Sequence, residues 1–349
     1  MKALTLEPSV VDSARLEEVP EPNSSDGSVL VDVIGIGVCG TDIEIVHGDY
    51  GWAPPGQRRL VLGHESIGRV VSAPSDSGLV VDDLVVAMVR HPDPVPCRSC
   101  AVGDWDLCRN GGYTEHGIKA EHGFARERYR AWPDRLVKVD PALGDLGVLL
   151  EPTSVVAKAW EIIDRVSGHG SPVPASGRAL ITGAGPIGLL AALLGRQRNL
   201  EVHVLDRVTD GPKPGLVADL GATYHSTPVT DLGLTFDVVV ECTGVSQVIV
   251  DAMGVLATDG VCCLTGVSSG GHSISVDIGE LNRSLVLDNG IIVGSVNANR
   301  RHYEAAAAAL AAADQSWLAR LVSRRVPMGS WADALNRGPN DVKVMLTFD

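Results

Sequence analysis

Three cysteines fall in CRSCAVGDWDLC, with two residues between Cys97 and Cys100 and seven between Cys100 and Cys108. Thiolates grouped this closely can converge on one metal ion, although a tetrahedral structural zinc site takes four ligands. Elsewhere, VCGTD at 38–42, GHE at 63–65 and EP at 151–152 bring in Cys39, His64, Glu65 and Glu151. A cysteine, a histidine and a carboxylate make an open zinc site, with a fourth position left for water or substrate. Zinc so held is a Lewis acid that lowers the pKa of a bound hydroxyl, so that an alkoxide can expel hydride. Taken singly these residues mean less, because a cysteine is most often buried filler and a histidine beside a glutamate is usually a surface or capping residue.

A second constellation is GAGPIG, in which Gly183, Gly185 and Gly188 enclose Ala184, Pro186 and Ile187. It follows the apolar run ALIT and opens a helical stretch, and Asp206 ends the next apolar run. The first glycine permits a tight turn, the second lets the backbone approach a pyrophosphate, and the third allows close packing of helix on strand. The phosphates then rest on the amino terminus of the helix. Asp206 is placed to accept the ribose hydroxyls, and its charge opposes a 2′-phosphate, so NAD is expected over NADP. Arg207 can pair with that phosphate if it turns inward; as a solvated or adenine-stacked arginine it leaves the preference to Asp206.

The elements that must position these residues fall into two halves. Up to about residue 150 the chain is broken by Gly and Pro into short β-type runs, SVLVDVIGIG, LVLGHESIGRVVSA and LVVDDLVVAMV, as in a compact strand-rich domain. The polar segment from Asp164 to Arg178 reads as an exposed connection. Beyond it RALIT, EVHVLD, FDVVVECTG, GVCCLTG and GIIVGSVNA are continuous apolar runs, the pattern of parallel strands buried on both faces. This half is expected to be doubly wound α/β. The alanine-rich HYEAAAAALAAADQSWLARLV is helical rather than a linker. GIIVGSV can be an interior strand or an edge strand available for assembly.

The 349 residues suit two domains, and 45% hydrophobic with 21% charged content is that of a folded globular chain. A net charge of -14, with no local basic patch, excludes nucleic acid and anionic membrane surfaces as partners. The amino terminus lacks a secretory apolar core, and no run spans a bilayer. Seven cysteines without an export signal point to reduced thiols in the cytoplasm.

Together these motifs resemble the zinc-containing medium-chain dehydrogenases, whose VCGTD, GHE, cysteine lobe, EP and glycine fingerprint recur here in order along the whole chain. GDYG at 48–51, CRNGGYTEHGIKAEHGF at 108–124 and LVLDNGIIVGSVNANRRHYEAA at 285–306 look more narrowly like the microbial glucose 1-dehydrogenase branch. The resemblance implies a GroES-like catalytic domain from 1–156 and 297–349 and a Rossmann nucleotide-binding domain from 157–296. It implies that Cys39, His64 and Glu151 contact a catalytic zinc, with Glu65 a direct or water-mediated neighbour, and that Thr41 relays the proton from the zinc-bound hydroxyl. Glu115, Asn297, Asn299 and His302 stand where related enzymes place sugar-binding or nicotinamide-pocket groups. Glu115 and His302 otherwise read as a surface-loop residue and a helix-start histidine, and the asparagines as turn formers.

The chain departs from the branch in three places. LDR at 205–207 replaces the neutral residue that precedes arginines in NADP-accepting relatives. Ala157 precedes Lys158 where many relatives carry glutamate, which leaves Glu151 as the carboxylate of that segment. Pro94 stands where the first of four lobe cysteines would be, so a structural zinc there needs a substitute ligand, with Asp93 favoured over His91. The expected reaction is zinc- and NAD(P)-dependent oxidation of an aldose, glucose first, at the anomeric hydroxyl to the lactone. A polyol, cyclitol or secondary-alcohol dehydrogenase is the alternative, a non-catalytic nucleotide-binding protein the distant one, and the assembly is expected to be a homo-oligomer, tetramer or dimer.

Overall fold

The computed structural model describes residues 1–167, 177–268 and 273–348, so most of the connection expected between Asp164 and Arg178 lies outside the described residues. Two compact units are present, Met1–Ser154 with Ala298–Asp349, and Val155–Asn297.

In the first unit the long strand Val29–Val38 is the spine of a seven-stranded sheet. Alternation in VLVDVI buries Val29, Val31 and Val33 on one face, where they join Leu4, Ile45, Phe124 and Leu346 in the core. Strand Glu65–Ser72 pairs antiparallel on one side and Lys343–Thr347 on the other, with Gly37 opposite both Glu65 and Met345. Because register fixes which side chains become neighbours, the carboxyl end of the spine brings Cys39 beside the His64–Glu65 start of one flanking strand and the Lys343 start of the other. A Cβ on Gly37 would lie 2.0 Å from Glu65 Oε2, so a larger residue there would displace that carboxylate. A small separate sheet of Arg90–His91, Thr114–His116 and Ala120–Glu121 carries Glu115.

The second unit is a six-stranded, wholly parallel sheet. In chain order its strands are Arg178–Thr182, Glu201–Leu205, Thr223–His225, Phe236–Glu241, Leu256–Leu264 and Ile291–Gly294. Numbered 1 to 6, they lie across the sheet as 3-2-1-4-5-6, the doubly wound order whose reversal point lies between strands 1 and 4. The apolar runs are apolar because helices cover them. Leu180, Phe236, Val239 and Cys262 form a dry cluster, and Trp160, fully buried, donates its indole N–H to Ala191 O at 3.3 Å. Strand Ile291–Gly294 lies at the edge of this sheet. Among the described residues no helix is long and apolar enough to cross a membrane.

Candidate active site

Cys39 precedes the helix Gly40–His47, and its backbone N–H donates to Asp42 Oδ2 at 2.8 Å. Asp42 is 2% exposed and sets Oδ1 3.3 Å from His64 Nδ1. Burial works against the imidazolium, but the Asp42 carboxylate outweighs it and holds His64 well above its ordinary pKa. In the neutral ring, an N–H kept at Nδ1 beside Asp42 would leave the Nε2 lone pair for a metal, and a bound cation there would displace the second proton that the carboxylate otherwise favours. Gly63, with φ +86°, makes the sharp turn that aims His64 inward.

One ligand atom each from Cys39, His64 and Glu65 lies within 4.8 Å of the others. A thiolate, an imidazole and a carboxylate are a donor set that zinc accepts, and the pocket is buried on the His64 and Glu65 side. Glu65 has a rival partner, however. Lys343 Nζ donates to both its oxygens, at 2.7 and 2.6 Å, and the two side chains are 2% exposed. Lys343 was missed in the sequence; the signal was a lone lysine inside the apolar run VKVML. Glu151 sits in the first turn of helix Leu150–Val166, outside that group of three. Burial and the neighbouring Glu65 charge push its carboxyl up to about 7, against the pull of His64 and Lys343. Thr41 follows Cys39 in the first turn of its helix and is half-buried.

Glu115, Asn299 and His302 meet in a chain of polar contacts. Glu115 Oε1 accepts from Arg90 Nε and a terminal nitrogen at 3.1 and 2.9 Å, and Arg90 also donates to Asp106 O at 3.1 Å. Asp106 Oδ1 accepts from Asn299 Nδ2 at 2.7 Å, and the Asn299 backbone N–H donates to His302 Nδ1 at 3.0 Å. All five residues are nearly inaccessible, and Arg90 stacks on Tyr113 with 3.8 Å to the ring centroid. Glu115 is thus a buried ion-pair partner rather than a surface-loop residue, and Asn299 reaches Asp106 rather than only closing a turn. Tyr303, next to His302, accepts from Val89 N–H at 3.2 Å; burial and the Glu151 charge raise its phenol well above its ordinary value. Sequence reading passed over Arg90, Asp106 and Tyr303.

Gly183 turns with φ +87° and donates to Leu205 O at 2.6 Å. A Cβ on Gly188 would stand 1.7 Å from Gly183 O, whereas none would meet anything at Gly185. An open approach at the second glycine and forced contact at the third are what a dinucleotide loop requires, and Pro186 opens the helix Pro186–Gln197 behind it. Asp206 accepts from Ala184 N–H at 2.7 Å, Val208 N–H at 3.1 Å and Lys213 Nζ at 3.0 Å. Burial raises its pKa, but these donors more than offset it and hold the carboxyl below its ordinary value. Arg207 is exposed, and Asn297 takes φ +61°, a left-handed conformation that asparagine tolerates.

In the lobe, Cys97, Cys100 and Cys108 bring their sulfurs within 4.8 Å of one another, with Cys97 Sγ 3.7 Å from Cys100 Sγ. Amide donors, that of Arg109 foremost, lower the Cys97 thiol to about 6. Asp93, the expected fourth ligand, lies outside that group of three sulfurs. It accepts at Oδ1 from Val95 N–H at 2.9 Å, and its carboxylate lies against Gly112.

Residues 144–348 match the family described as glucose dehydrogenase C-terminus, and residues 25–141 match the alcohol dehydrogenase GroES-like domain. Glucose 1-dehydrogenase 2 of Vulcanisaeta moutnovskia is 40% identical, with 99% of each chain covered. The glucose 1-dehydrogenase of Thermoproteus tenax is 39% identical over 99% of each. Haloferax mediterranei glucose dehydrogenase, solved in complex with NADP, Zn and gluconolactone, superposes with a TM-score of 0.91 at 31% identity, covering 100% of this chain and 99% of that one. With its GroES-like and Rossmann-type folds and these relatives, the chain belongs to the zinc-containing medium-chain dehydrogenases, in the glucose 1-dehydrogenase branch.

Proposed function

We propose that this enzyme oxidises an aldose, glucose foremost, at the anomeric hydroxyl to the lactone, with hydride passing to NAD in preference to NADP. The observation that carries the proposal is the convergence of Cys39, His64 and Glu65 in a chain that also bears an open glycine loop. Cys39, His64 and a carboxylate from Glu65 or Glu151 would hold zinc, which would supply the Lewis acidity that makes a sugar hydroxyl acidic, with nicotinamide as the hydride acceptor. Asp42 keeps His64 in the tautomer that ligates. Thr41, both donor and acceptor, passes the released proton outward. Glu115, Asn299 and His302 bind ring hydroxyls, held in position by Arg90 and Asp106; a polyhydroxylated substrate needs such groups because each hydroxyl must replace its water partners.

NAD is preferred because Asp206 presents a carboxylate where a 2′-phosphate would come, although Lys213 offsets part of its charge. The relative that contains gluconolactone contains NADP, so cofactor choice is a point on which this chain is expected to differ. Asn297 borders the nicotinamide. A second, structural zinc is proposed on Cys97, Cys100 and Cys108 with a substitute for the missing fourth cysteine, Asp93 foremost. The edge strand Ile291–Gly294 and the exposed Ile278, Val286 and Leu287 support self-association, and free cysteines support the cytoplasm as its place of work.

A matrix of aldoses, open-chain polyols and cyclitols against both cofactors tests the reading on purified enzyme. The largest kcat/KM is expected for glucose with NAD, on a species larger than a monomer in sedimentation, with close to two zinc ions per chain. Turnover of polyols or cyclitols alone would remove the sugar assignment, and NADP equal to or better than NAD would remove the role given to Asp206. One zinc per chain would mean a metal-free lobe.

A further inference from the structure

The second unit buries a carboxylate for which the chemistry above has no use. Glu241 ends the strand Phe236–Glu241 and is wholly inaccessible. Its donors are all neutral. Thr182 Oγ1 donates to Oε1 at 3.1 Å and Thr243 N–H at 2.7 Å; Thr243 Oγ1 donates to the same oxygen, and Gly244 N–H reaches both oxygens at 3.2 Å. Its backbone carbonyl accepts from Thr265 N–H at 2.8 Å, Gly266 N–H at 3.0 Å and Thr265 Oγ1 at 2.7 Å. A Cβ on Gly266 would lie 2.7 Å from Oε2, and one on Gly244 would lie 2.6 Å from Val267 O, so the turns are packed against the carboxylate and each other.

These contacts join the carboxyl ends of strands 1, 4 and 5 at the place where strand order reverses. Thr182 is the residue before Gly183 of the glycine loop. In this fold ligands lie just outside the carboxyl ends at that point; the acid after strand 2 holds the adenosine half, so strands 4 and 5 lie under the other half. We infer that Glu241 is a positioning residue that shapes the floor beneath the nicotinamide half of the dinucleotide. The inference rests on the reading of GAGPIG as a dinucleotide loop. A carboxylate suits the task because it only accepts, and here only donors converge on it; an amide would turn its own N–H groups toward some of them. Hydrogen bonds to a charged acceptor are also the stronger kind, and leaving a buried donor unmatched is costly.

Equilibrium binding of NADH and of ADP-ribose, which lacks the nicotinamide, tests this on the full-length enzyme. Glu241→Gln is expected to raise the Kd for NADH by about 10-fold or more, the loss of a charge-assisted hydrogen bond, and that for ADP-ribose by less than about 3-fold. Thr182→Val removes one donor with little change of shape and should move the NADH Kd the same way by several-fold, which keeps the inference testable if the Gln variant does not fold. Equal weakening of both ligands, or no change in either, in a folded variant would overturn the role of Glu241. Failure of the unaltered enzyme to bind either ligand would overturn the dinucleotide reading beneath it.

Discussion

Replacing Cys39 by serine is expected to lower kcat for aldose oxidation by on the order of 10³-fold or more, the effect of losing a metal's several kcal/mol of charge stabilisation. The Kd for NADH should stay within about 2-fold of the unaltered value, since Cys39 belongs to the first compact unit and the glycine loop to the second. A serine hydroxyl stays protonated near neutral pH and is a poor partner for zinc, whereas His64 and Glu65 remain in place to hold the metal loosely. Zinc content should therefore fall by roughly one ion per chain, and chelation of the unaltered enzyme should reproduce the kinetic loss. Full turnover by the variant after exhaustive chelation would remove the metal from the mechanism. Retention of activity with zinc still bound would instead remove Cys39 from the ligand set.

What the sequence disclosed depended on how local the determining contact is. The parallel strands were legible because a sheet covered on both faces is mostly apolar, and GVCCL and the middles of RALIT and FDVVVE are, with polar residues at or near the ends of the latter two. Gly183, Gly185 and Gly188 were legible because each meets a different backbone requirement within six residues. The first turn after Cys39 was readable in principle, as Asp42 stands three residues on and caps the helix. Its reach to His64 was not readable, because that contact exists only once strands Val29–Val38 and Glu65–Ser72 are in register.

The same limit explains Glu115 and Asp93. Glu115 could be named from its motif, but its burial against Arg90 follows from the pairing of Arg90–His91 with Thr114–His116. Asp93 stands next to the position of a missing ligand in the sequence, but its hydrogen bond from Val95 N–H depends on a turn that the spacing of the cysteines does not announce. Lys343 is the extreme case, since it stands 278 positions from Glu65 in the sequence.

Lys343→Met is accordingly the substitution expected to cost most stability. It leaves Glu65 buried and unpaired at 1% exposure, and breaking a buried pair from one side typically costs about 3–5 kcal/mol. Lys343→Met combined with Glu65→Gln should recover part of that loss, because the second change removes the stranded charge, and a double-mutant cycle measures the coupling. The metal adds a second readout. Lys343 and a zinc ion are rival cations for one carboxylate, so removing the lysine leaves zinc as the remaining neutraliser. Zinc should therefore raise the melting temperature of the Lys343→Met protein by more than it raises that of the unaltered enzyme, measured by calorimetry on chelated and reloaded samples. A loss below about 1 kcal/mol would show that Glu65 is solvated rather than desolvated in solution. An equal zinc effect in both proteins would show that Glu65 does not feel the metal, and the carboxylate of the centre would then be Glu151 alone.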